Sequence, residues 1–403
     1  MKKIYWRPRA VSRPALVLIA LLSLSSLIVV ERWPVRTEQD YLEEKRAAAE
    51  LAQEAFDVIK KARQDVGPPI DPLVDPAESG LIGLPTSPVT SKEGDVSAKQ
   101  TSANPNFAAV IVDMLKEAEV KEGDVVAIGI SGSFPALNIC TYAACETLKV
   151  TPLVISSASA SQWGANVPAL MWPDMEMKLR QNDIFNIKSI ACSIGGEQDR
   201  GQDLSEDGLK LVVASIERCG LDMLEAKSTP VTATGADARA AVEQARAADF
   251  VANIDARMRL YEVNAKGKPI KAYINVGGGM VSVGKNIGKL MFKPGLNDRP
   301  PTHVYEIDGV MPRFSKQGVP VIHMVHINTI ADRYQLPLEP TATPSIGSGG
   351  VFYGIDYSKP LVIGVLAFIL LCLYGFIRSD VGFRMLRTSQ STRKRDAQPE
   401  PMV

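Results

Sequence analysis

Apolar and polar positions divide this chain into two long apolar runs near its ends and a middle part in which short apolar runs alternate with amphipathic segments. The long runs cover residues 15–30 and 361–377 and contain no charged side chain. At ~1.5 Å rise per residue, each has about the length needed to cross a hydrocarbon core, near the lower limit. The pattern predicts a transmembrane helix at each end, over residues 15–31 and 361–377.

Basic residues flank both runs and predict their orientation. Residues 1–14 contain five basic residues and no acidic one, and residues 378–403 contain six basic against three acidic ones. By the positive-inside rule both segments are cytoplasmic tails, which predicts a two-span protein of the bacterial cytoplasmic membrane with its main part outside the cytoplasm. A cleavable signal peptide is the alternative for the first run, because a basic start before a short apolar stretch has the same pattern.

Three segments of different character lie between the long apolar runs. Residues 32–106 begin with a helical period and continue with many prolines, which predicts a helical stalk and a Pro-rich linker. Residues 107–335 have the pattern of an α/β domain with a mainly parallel sheet flanked by helices, and residues 336–360 predict a Pro/Gly-rich tether. The predicted helices of the domain are 107–118, 135–148, 174–181, 204–219 and 235–263, and its predicted strands are 125–130, 153–155, 187–191, 271–276 and 319–323.

Charge is unevenly distributed, and this limits the class of ligand. The chain has 45 basic and 45 acidic residues, but both ends are basic, so the middle part is acidic. An acidic domain has no general affinity for nucleic acid, because its long-range field has the wrong sign. Within this acidic part, residues 266–299 contain seven basic residues and one acid. This window favours a local site for carboxylates or phosphates, with lysines that only solvate a helix face as the alternative.

Three loops follow predicted strands directly, where ligands of parallel sheets collect. The loop 129–135 combines glycines and serines with a proline that suits the first turn of a helix. The loop 156–166 carries small hydroxyl residues beside an aromatic ring and amides, and the loop 275–284 is rich in glycine and adjoins the lysines. A plain turn and a flexible polar loop are the alternatives. The candidate ligand-binding residues are Ser131, Gly132, Ser133, Gln162, Trp163, Asn166, Asn275, Gly277, Gly278, Gly279, Lys285, Lys289 and Lys293.

A catalytic set is harder to assemble from the sequence. Ser131 or Ser133 is a candidate nucleophile, and Asp174 or Asp199 is a candidate acid or base. Neither serine lies in a G-x-S-x-G motif, and no histidine or lysine is evident near them as a base. The sequence therefore leaves open whether the domain is an enzyme.

Histidine and cysteine spacing gives no metal pattern. His323 and His326 form H-x-x-H without the glutamate of a zinc protease, so we predict no metal site, and no cofactor is implied. The cysteines contain no C-x-x-C pair. A disulfide between Cys192 and Cys219 is possible in an oxidising compartment, and buried free thiols are the other interpretation.

Several separate motifs resemble a known family, the poly-γ-glutamate system proteins. The resemblance covers residues 107–350 and rests on 128–138 (IGISGSFPALN), 161–166 (SQWGAN), 195–205 (GGEQDRGQDLS), 274–279 (INVGGG), 318–323 (GVPVIH) and 336–340 (LPLEP). It implies a membrane-anchored accessory of the machinery that makes poly-γ-glutamate, a capsule-like polymer with a carboxylate on every unit. It implies no catalytic residues.

The resemblance and the lysine window together give the leading expectation. An extracytoplasmic domain would bind the anionic polymer or its oligomers, or dock on the synthase, and assist export or surface retention. The implied partners are the polymer, the membrane components of the synthase and the lipid bilayer. The alternative is a γ-glutamyl hydrolase or transferase that acts on the polymer through Ser131 or Ser133, and a phosphate or nucleoside binder is a third interpretation.

Overall fold

The structure is a computed structural model that describes residues 13–231 and 238–378. Contacts divide the chain into a larger compact unit, Gln39–Phe352, and a smaller one drawn from Met1–Glu38 and Tyr353–Val403. The described strands are β1 (Pro34–Glu38), β2 (Thr90–Lys92), β3 (Val125–Ser131), β4 (Thr151–Ser157), β5 (Ala160–Ser161), β6 (Asn166–Val167), β7 (Leu170–Met171), β8 (Ala191–Ser193), β9 (Ile270–Val276), β10 (Gly295–Asn297), β11 (Val321–Met324) and β12 (Tyr353–Tyr357). The described helices are α1 (Arg13–Arg32), α2 (Leu42–Val66), α3 (Val96–Ser102), α4 (Phe107–Glu117), α5 (Pro135–Thr147), α6 (Trp172–Gln181), α7 (Glu206–Arg218), α8 (Ala238–Ala265), α9 (Met280–Val283), α10 (Lys285–Met291), α11 (Val310–Lys316), α12 (Ile327–Arg333) and α13 (Lys359–Arg378).

The larger unit is an α/β structure built on a six-stranded mixed sheet. The strand order is β10-β11-β9-β3-β4-β8; β10 is antiparallel to β11, and all the other pairs are parallel. The chain therefore starts in the middle of the sheet at β3, extends to one side through β4 and β8, and returns to the other side of β3 with β9. In such a sheet the two directions of winding separate at the carboxyl ends of β3 and β9, which is where a crevice opens.

Burial explains why these segments form the centre of the sheet. Five of the seven residues of β3 are buried, and so are the last five of β9. A parallel strand that is covered by helices on both faces requires such a continuous apolar run. On one face, the rings of Tyr273 and Phe314 stack with centroids 4.9 Å apart, and the Tyr261 ring of α8 meets both edge-on. This aromatic cluster fixes the strand from which the glycine loop leaves.

The segment that was predicted to be a stalk and linker belongs to the larger unit. Helix α2 packs against α4 and α5 through four fully buried alanines, whose small side chains allow close approach, and Lys45 makes a buried ion pair of 2.6 Å with Asp113. The first part of the predicted tether is held as well. The buried side-chain amide of Asn106 donates to the carbonyl oxygen of Ser345 and accepts from the backbone N–H of Gly347.

The smaller unit contains α1, α13 and a two-stranded antiparallel sheet. In this sheet β1 pairs with β12, with Pro34 opposite Tyr357 and Glu38 opposite Tyr353. Helices α1 and α13 contact each other. The predicted basic tails fall almost entirely on residues 1–12 and 379–403, which lie outside the described residues.

The prediction of terminal transmembrane helices is contradicted. In the part of the chain that the structure describes, no helix combines the length and the apolar character needed to cross a membrane. Helices α1 and α13 are 20 residues long, but charged residues occupy their ends. Each apolar stretch is therefore shorter than the roughly 20 residues that a span requires. The spans at 15–31 and 361–377 and the two-span localisation in a bacterial cytoplasmic membrane are therefore wrong.

Candidate functional site

A cavity of about 340 Å³ lies in the larger unit, at the carboxyl ends of β3, β4 and β9. Its walls are the loops that follow these three strands, and its rim includes the segment before α3 and the start of α12. The position is the crevice that the strand order creates between β3 and β9. Polar residues that line it include Lys99, Ser131, Ser133, Ser157, Ser159, Ser161, Asp199, Arg257, Ser282, Lys289 and His326.

A buried lysine forms one wall of the cavity. Lys99 lies on α3, whose first turn is capped by the Asp95 carboxylate, and its side chain is 3 % exposed. Its Nζ donates to Ser161 Oγ at 2.9 Å and to the Ser133 carbonyl oxygen, and it lies 3.9 Å from the centre of the Phe134 ring. Burial lowers the pKa of Lys99 to about 7, partly offset by the charge of Asp95.

Serine hydroxyls connect the loops around this lysine. The backbone N–H of Ser161 donates to Ser133 Oγ at 3.1 Å, and the N–H of Ser133 donates to Ser131 Oγ at 3.3 Å. The Asn138 side chain of α5 donates to the Ser131 carbonyl oxygen at 2.8 Å. The loops after β3 and β4 are thus joined by direct hydrogen bonds, which gives the Lys99 wall a defined shape.

The glycine loop after β9 forms the opposite wall. Gly277 has φ +94°, which side-chain-bearing residues rarely adopt, and its N–H donates to the Met324 carbonyl oxygen. A Cβ on Gly277 would lie 3.4 Å from Ser131 Oγ, and one on Gly278 would lie 3.7 Å from Lys289 Nζ. The missing side chains therefore let the backbone approach the serine loop and leave room for the lysine.

Asn275, which contacts His323, hydrogen-bonds to the backbone of the glycine loop. Asn275 Nδ2 donates to the Gly277 carbonyl oxygen at 2.5 Å and lies 3.1 Å from His323 Nδ1, while its Oδ1 accepts from Ser282 Oγ. His323 is fully buried, and burial lowers its pKa to about 3, with smaller contributions from His326 and Lys289. It is therefore neutral at physiological pH. No group of three or more potential ligands that could hold a metal occurs among the described residues.

One charged pair in the cavity wall is already satisfied. Arg257 of α8 bonds to Asp199 Oδ2, and Asp199 Oδ1 accepts from the Ser193 hydroxyl at 2.8 Å. Asp199 follows Gly195 and Gly196, which both have positive φ. The two lysines differ from this pair, because none of the described residues forms an ion pair with Lys99 or Lys289.

The structure brings only some of the candidate residues together. Ser131, Ser133, Asp199, Lys289 and the glycines 277–279 line the cavity, and Gly132 and Asn275 lie directly behind its walls. Lys293 is exposed and is not among the lining residues, and the side chain of Lys285 lies outside what the structure describes.

Residues 162–166, by contrast, hydrogen-bond to the segment 84–94. Asn166 is fully buried, and its amide bonds to both backbone groups of Leu84 and to Thr90 Oγ1. The Trp163 N–H donates to the Leu84 carbonyl oxygen, and Gln162 Oε1 accepts from the Gly94 N–H. Asp174 is also remote from the cavity, where it caps α6 and pairs with Arg218 at 2.6 Å. These residues position the loops and do not line the cavity.

Two functional candidates were missed in the sequence. Lys99 belongs to a segment that was predicted as a linker, and its only local signal is the capping aspartate Asp95 four residues earlier. Ser161 lies in the loop 156–166, whose hydroxyl residues are part of its signal, but the candidates predicted there are Gln162, Trp163 and Asn166. The pair exists because segment 90–102 folds back on β5, through the parallel contact of β2 with β5, and no local pattern encodes that contact.

Comparison with family models, with curated proteins and with solved structures gave no match. The resemblance to poly-γ-glutamate system proteins therefore stays a prediction, and the site is interpreted from its own geometry.

Proposed function

We propose that the cavity binds the carboxylate-bearing end of a γ-linked glutamate chain. The observation that carries this proposal is the presence of Lys99 and Lys289 in the lining of one cavity, since neither amine forms an ion pair with a described carboxylate. A cation taken out of water is costly unless an anion compensates for it. A ligand carboxylate would supply that compensation.

The other groups in the cavity suit the same ligand. Serine hydroxyls donate hydrogen bonds to carboxylate and amide oxygens, and the glycine backbone permits close approach. Asp199 is neutralised by Arg257, so the interior carries no free negative charge that would repel such a ligand. Glu93 and Asp95 are exposed at the rim, where water screens them.

Cavity size limits how much of a polymer could enter. About 340 Å³ is at the lower end of the range for small-molecule sites, roughly 300–1,000 Å³. This volume suits a chain end or a short oligomer better than a long stretch of polymer. The family resemblance supplies the chemical class, γ-glutamyl, and the geometry supplies the preference for an end.

Calorimetric titration of the full-length chain with a short γ-linked oligoglutamate tests the proposal. Lys289→Met should weaken binding about tenfold or more, since a charge-assisted hydrogen bond contributes ~1.5–3 kcal/mol. Lys293→Met is the matched control, because this lysine is exposed and lies outside the cavity lining, and it should change affinity less than twofold. Binding should also weaken as salt rises.

Two further titrations define the ligand. Binding should strengthen as the pH falls from 8 to 6, because Lys99 gains its proton near pH 7. A γ-linked oligomer whose terminal carboxylates are amidated should bind weakly. Equal loss in the Lys289 and Lys293 variants, or no binding at either pH, would refute the proposal.

The predicted hydrolase with Ser131 or Ser133 as nucleophile gains no support from the geometry. Both hydroxyl oxygens accept a backbone N–H, and neither contacts a basic side chain. The docking of the domain on a synthase stays an untested prediction.

A further inference from the structure

The cavity contains one serine hydroxyl that contacts a lysine amine, and the contact has the arrangement of a nucleophile with its base. We propose that Ser161 and Lys99 form a catalytic dyad, in which Ser161 Oγ attacks a carbonyl carbon of the ligand and Lys99 Nζ takes the hydroxyl proton. This inference rests on the proposed function only for the γ-glutamyl nature of the substrate. The dyad itself is defined by geometry.

Three features of the geometry support the assignment. Lys99 Nζ and Ser161 Oγ are 2.9 Å apart, within the range of a nucleophile–base hydrogen bond. Both residues line the same cavity, and Ser161 retains partial exposure towards it. The Ser161 backbone is held by the Ser133 hydroxyl and by the pairing of β5 with β2, so the nucleophile is preorganised.

The environment of Lys99 allows it to act as a base. A lysine must be neutral to accept a proton, and removal from water without a carboxylate partner favours the neutral form. Lys45 has a different arrangement in the same unit, since its buried amine forms an ion pair of 2.6 Å with Asp113. At about 7, the pKa of Lys99 lies near the value at which a general base is most effective.

The nearby serines lack this arrangement. Ser131 Oγ and Ser133 Oγ accept backbone N–H groups, and Lys99 reaches only the carbonyl oxygen of Ser133. Among the described serines, Ser161 is the one whose hydroxyl contacts a lysine amine. The Ser161 hydroxyl also donates to the Gln162 carbonyl oxygen at 3.5 Å, so its short contact is the one with Lys99.

The reaction balances without a cofactor. Ser161 Oγ forms a bond to the γ-carbonyl carbon, and its proton passes to Lys99 Nζ. The C–N amide bond then breaks, and the Lys99 ammonium returns the proton to the leaving amine. Neutral Lys99 then takes a proton from water, whose oxygen forms a bond to the acyl carbon. The bond from that carbon to Ser161 Oγ breaks, the Lys99 ammonium returns the proton to Oγ, and the carboxylic acid leaves; an amine in place of water would give transfer.

An organophosphorus probe tests the dyad without any knowledge of the substrate. A fluorophosphonate phosphorylates an activated serine with loss of fluoride, and intact-mass spectrometry of the full-length chain counts the labels. We expect one label on the wild type, on Ser161, with a rate that rises as the pH passes through about 7. Ser161→Ala should lose the label, and Ser228→Ala, a change at an exposed serine outside the cavity lining, should retain it.

Two lysine variants separate a base from a structural cation. Lys99→Arg keeps the positive charge but stays protonated, so labelling should fall at least a hundredfold while thermal unfolding shows a folded protein. Lys99→Met should lose labelling in the same way. Labelling that persists in Lys99→Arg, or that falls on another serine, would overturn the dyad.

The results also distinguish this inference from the proposed function. A wild type that binds the γ-linked oligomer but neither labels nor shortens it would remove the dyad and leave the binding proposal intact. Labelling of Ser161 without binding of the oligomer would support the dyad and remove the binding proposal. Their pH dependences are opposite as well, because binding needs the charged form of Lys99 and attack needs the neutral form.

Discussion

Two polar clusters in the larger unit differ in the partners that surround their buried ionisable groups. In the carboxylate cluster on α6, Asp174 accepts from Arg218, Ser215 and the Met171 backbone, and Glu176 accepts from Tyr142 and Ser189. In the lysine cluster of Lys99, Ser133 and Ser161, the charge has only neutral partners. Carboxylates with several hydrogen-bond partners stabilise the fold. A lysine that lacks a counter-ion can instead bind an anionic ligand or exchange its proton.

Asp174→Ala should have the largest effect on stability. Removing this carboxylate leaves Arg218 and the Ser215 hydroxyl without their partner and removes the cap of α6. Loss of one member of a buried pair costs ~3–5 kcal/mol, and we expect about 3 kcal/mol because Arg218 is 38 % exposed. Urea denaturation measures the change. Asp207→Ala breaks an exposed pair, in which Asp207 is 87 % exposed, and should shift the free energy of unfolding by less than about 0.5 kcal/mol.

Lys99→Met should remove a pH dependence from the free energy of unfolding. The pKa of Lys99 is about 7 when folded, against an ordinary value of 10.5, so between these values the unfolded chain binds more protons. Stability of the wild type therefore rises with pH in this window, by up to ~1.4 kcal/mol per pH unit. Between pH 7.5 and 9.5 the wild type should gain about 2 kcal/mol relative to Lys99→Met.

The difference between the two proteins isolates Lys99, because all other titrating groups are common to both. Urea denaturation at three pH values gives the slope. Parallel curves would mean that Lys99 keeps its proton in the folded state, and this would weaken both the dyad and the expected rise in binding affinity at low pH.

The same contrast explains what the sequence could predict. The parallel core, helix α5 with Pro135 in its first turn, the position of the cavity at strand ends and the glycine loop all follow from local patterns. Lys99 does not, because its environment is created by a fold-back of segment 90–102 that has no local signature. Asn166 was misplaced for the same reason: a buried amide that fastens another loop and an amide that binds a ligand look identical in sequence.

Asn166→Ala should lower the stability of the fold, as a substitution in the carboxylate cluster does. The variant leaves the backbone groups of Leu84 and the Thr90 hydroxyl without their partner, at a cost of about 2 kcal/mol. Gln162→Ala, which loses one partly buried bond to Gly94, should cost less than about 1 kcal/mol. Thermal and urea unfolding measure both. If Asn166→Ala instead kept its stability and lost oligoglutamate binding, Asn166 would belong to the site after all.

Tyr142→Phe should have a smaller effect than Asp174→Ala, Lys99→Met and Asn166→Ala, and its pH dependence should have the same sign as that of Lys99→Met but lie at lower pH. The Tyr142 hydroxyl donates to Glu176 at 2.6 Å, while burial raises the pKa of Glu176 and the bonds from Ser189 and Tyr142 partly offset this. A donor stabilises the ionised carboxylate more than the protonated carboxyl, so the variant should lose about 1 kcal/mol where Glu176 is ionised and less as the pH falls and the carboxyl gains its proton. The wild type minus variant difference in the free energy of unfolding, measured at pH 7 and pH 4.5, checks this. A difference that grows towards acid pH would show instead that Tyr142 stabilises the protonated carboxyl more than the ionised carboxylate.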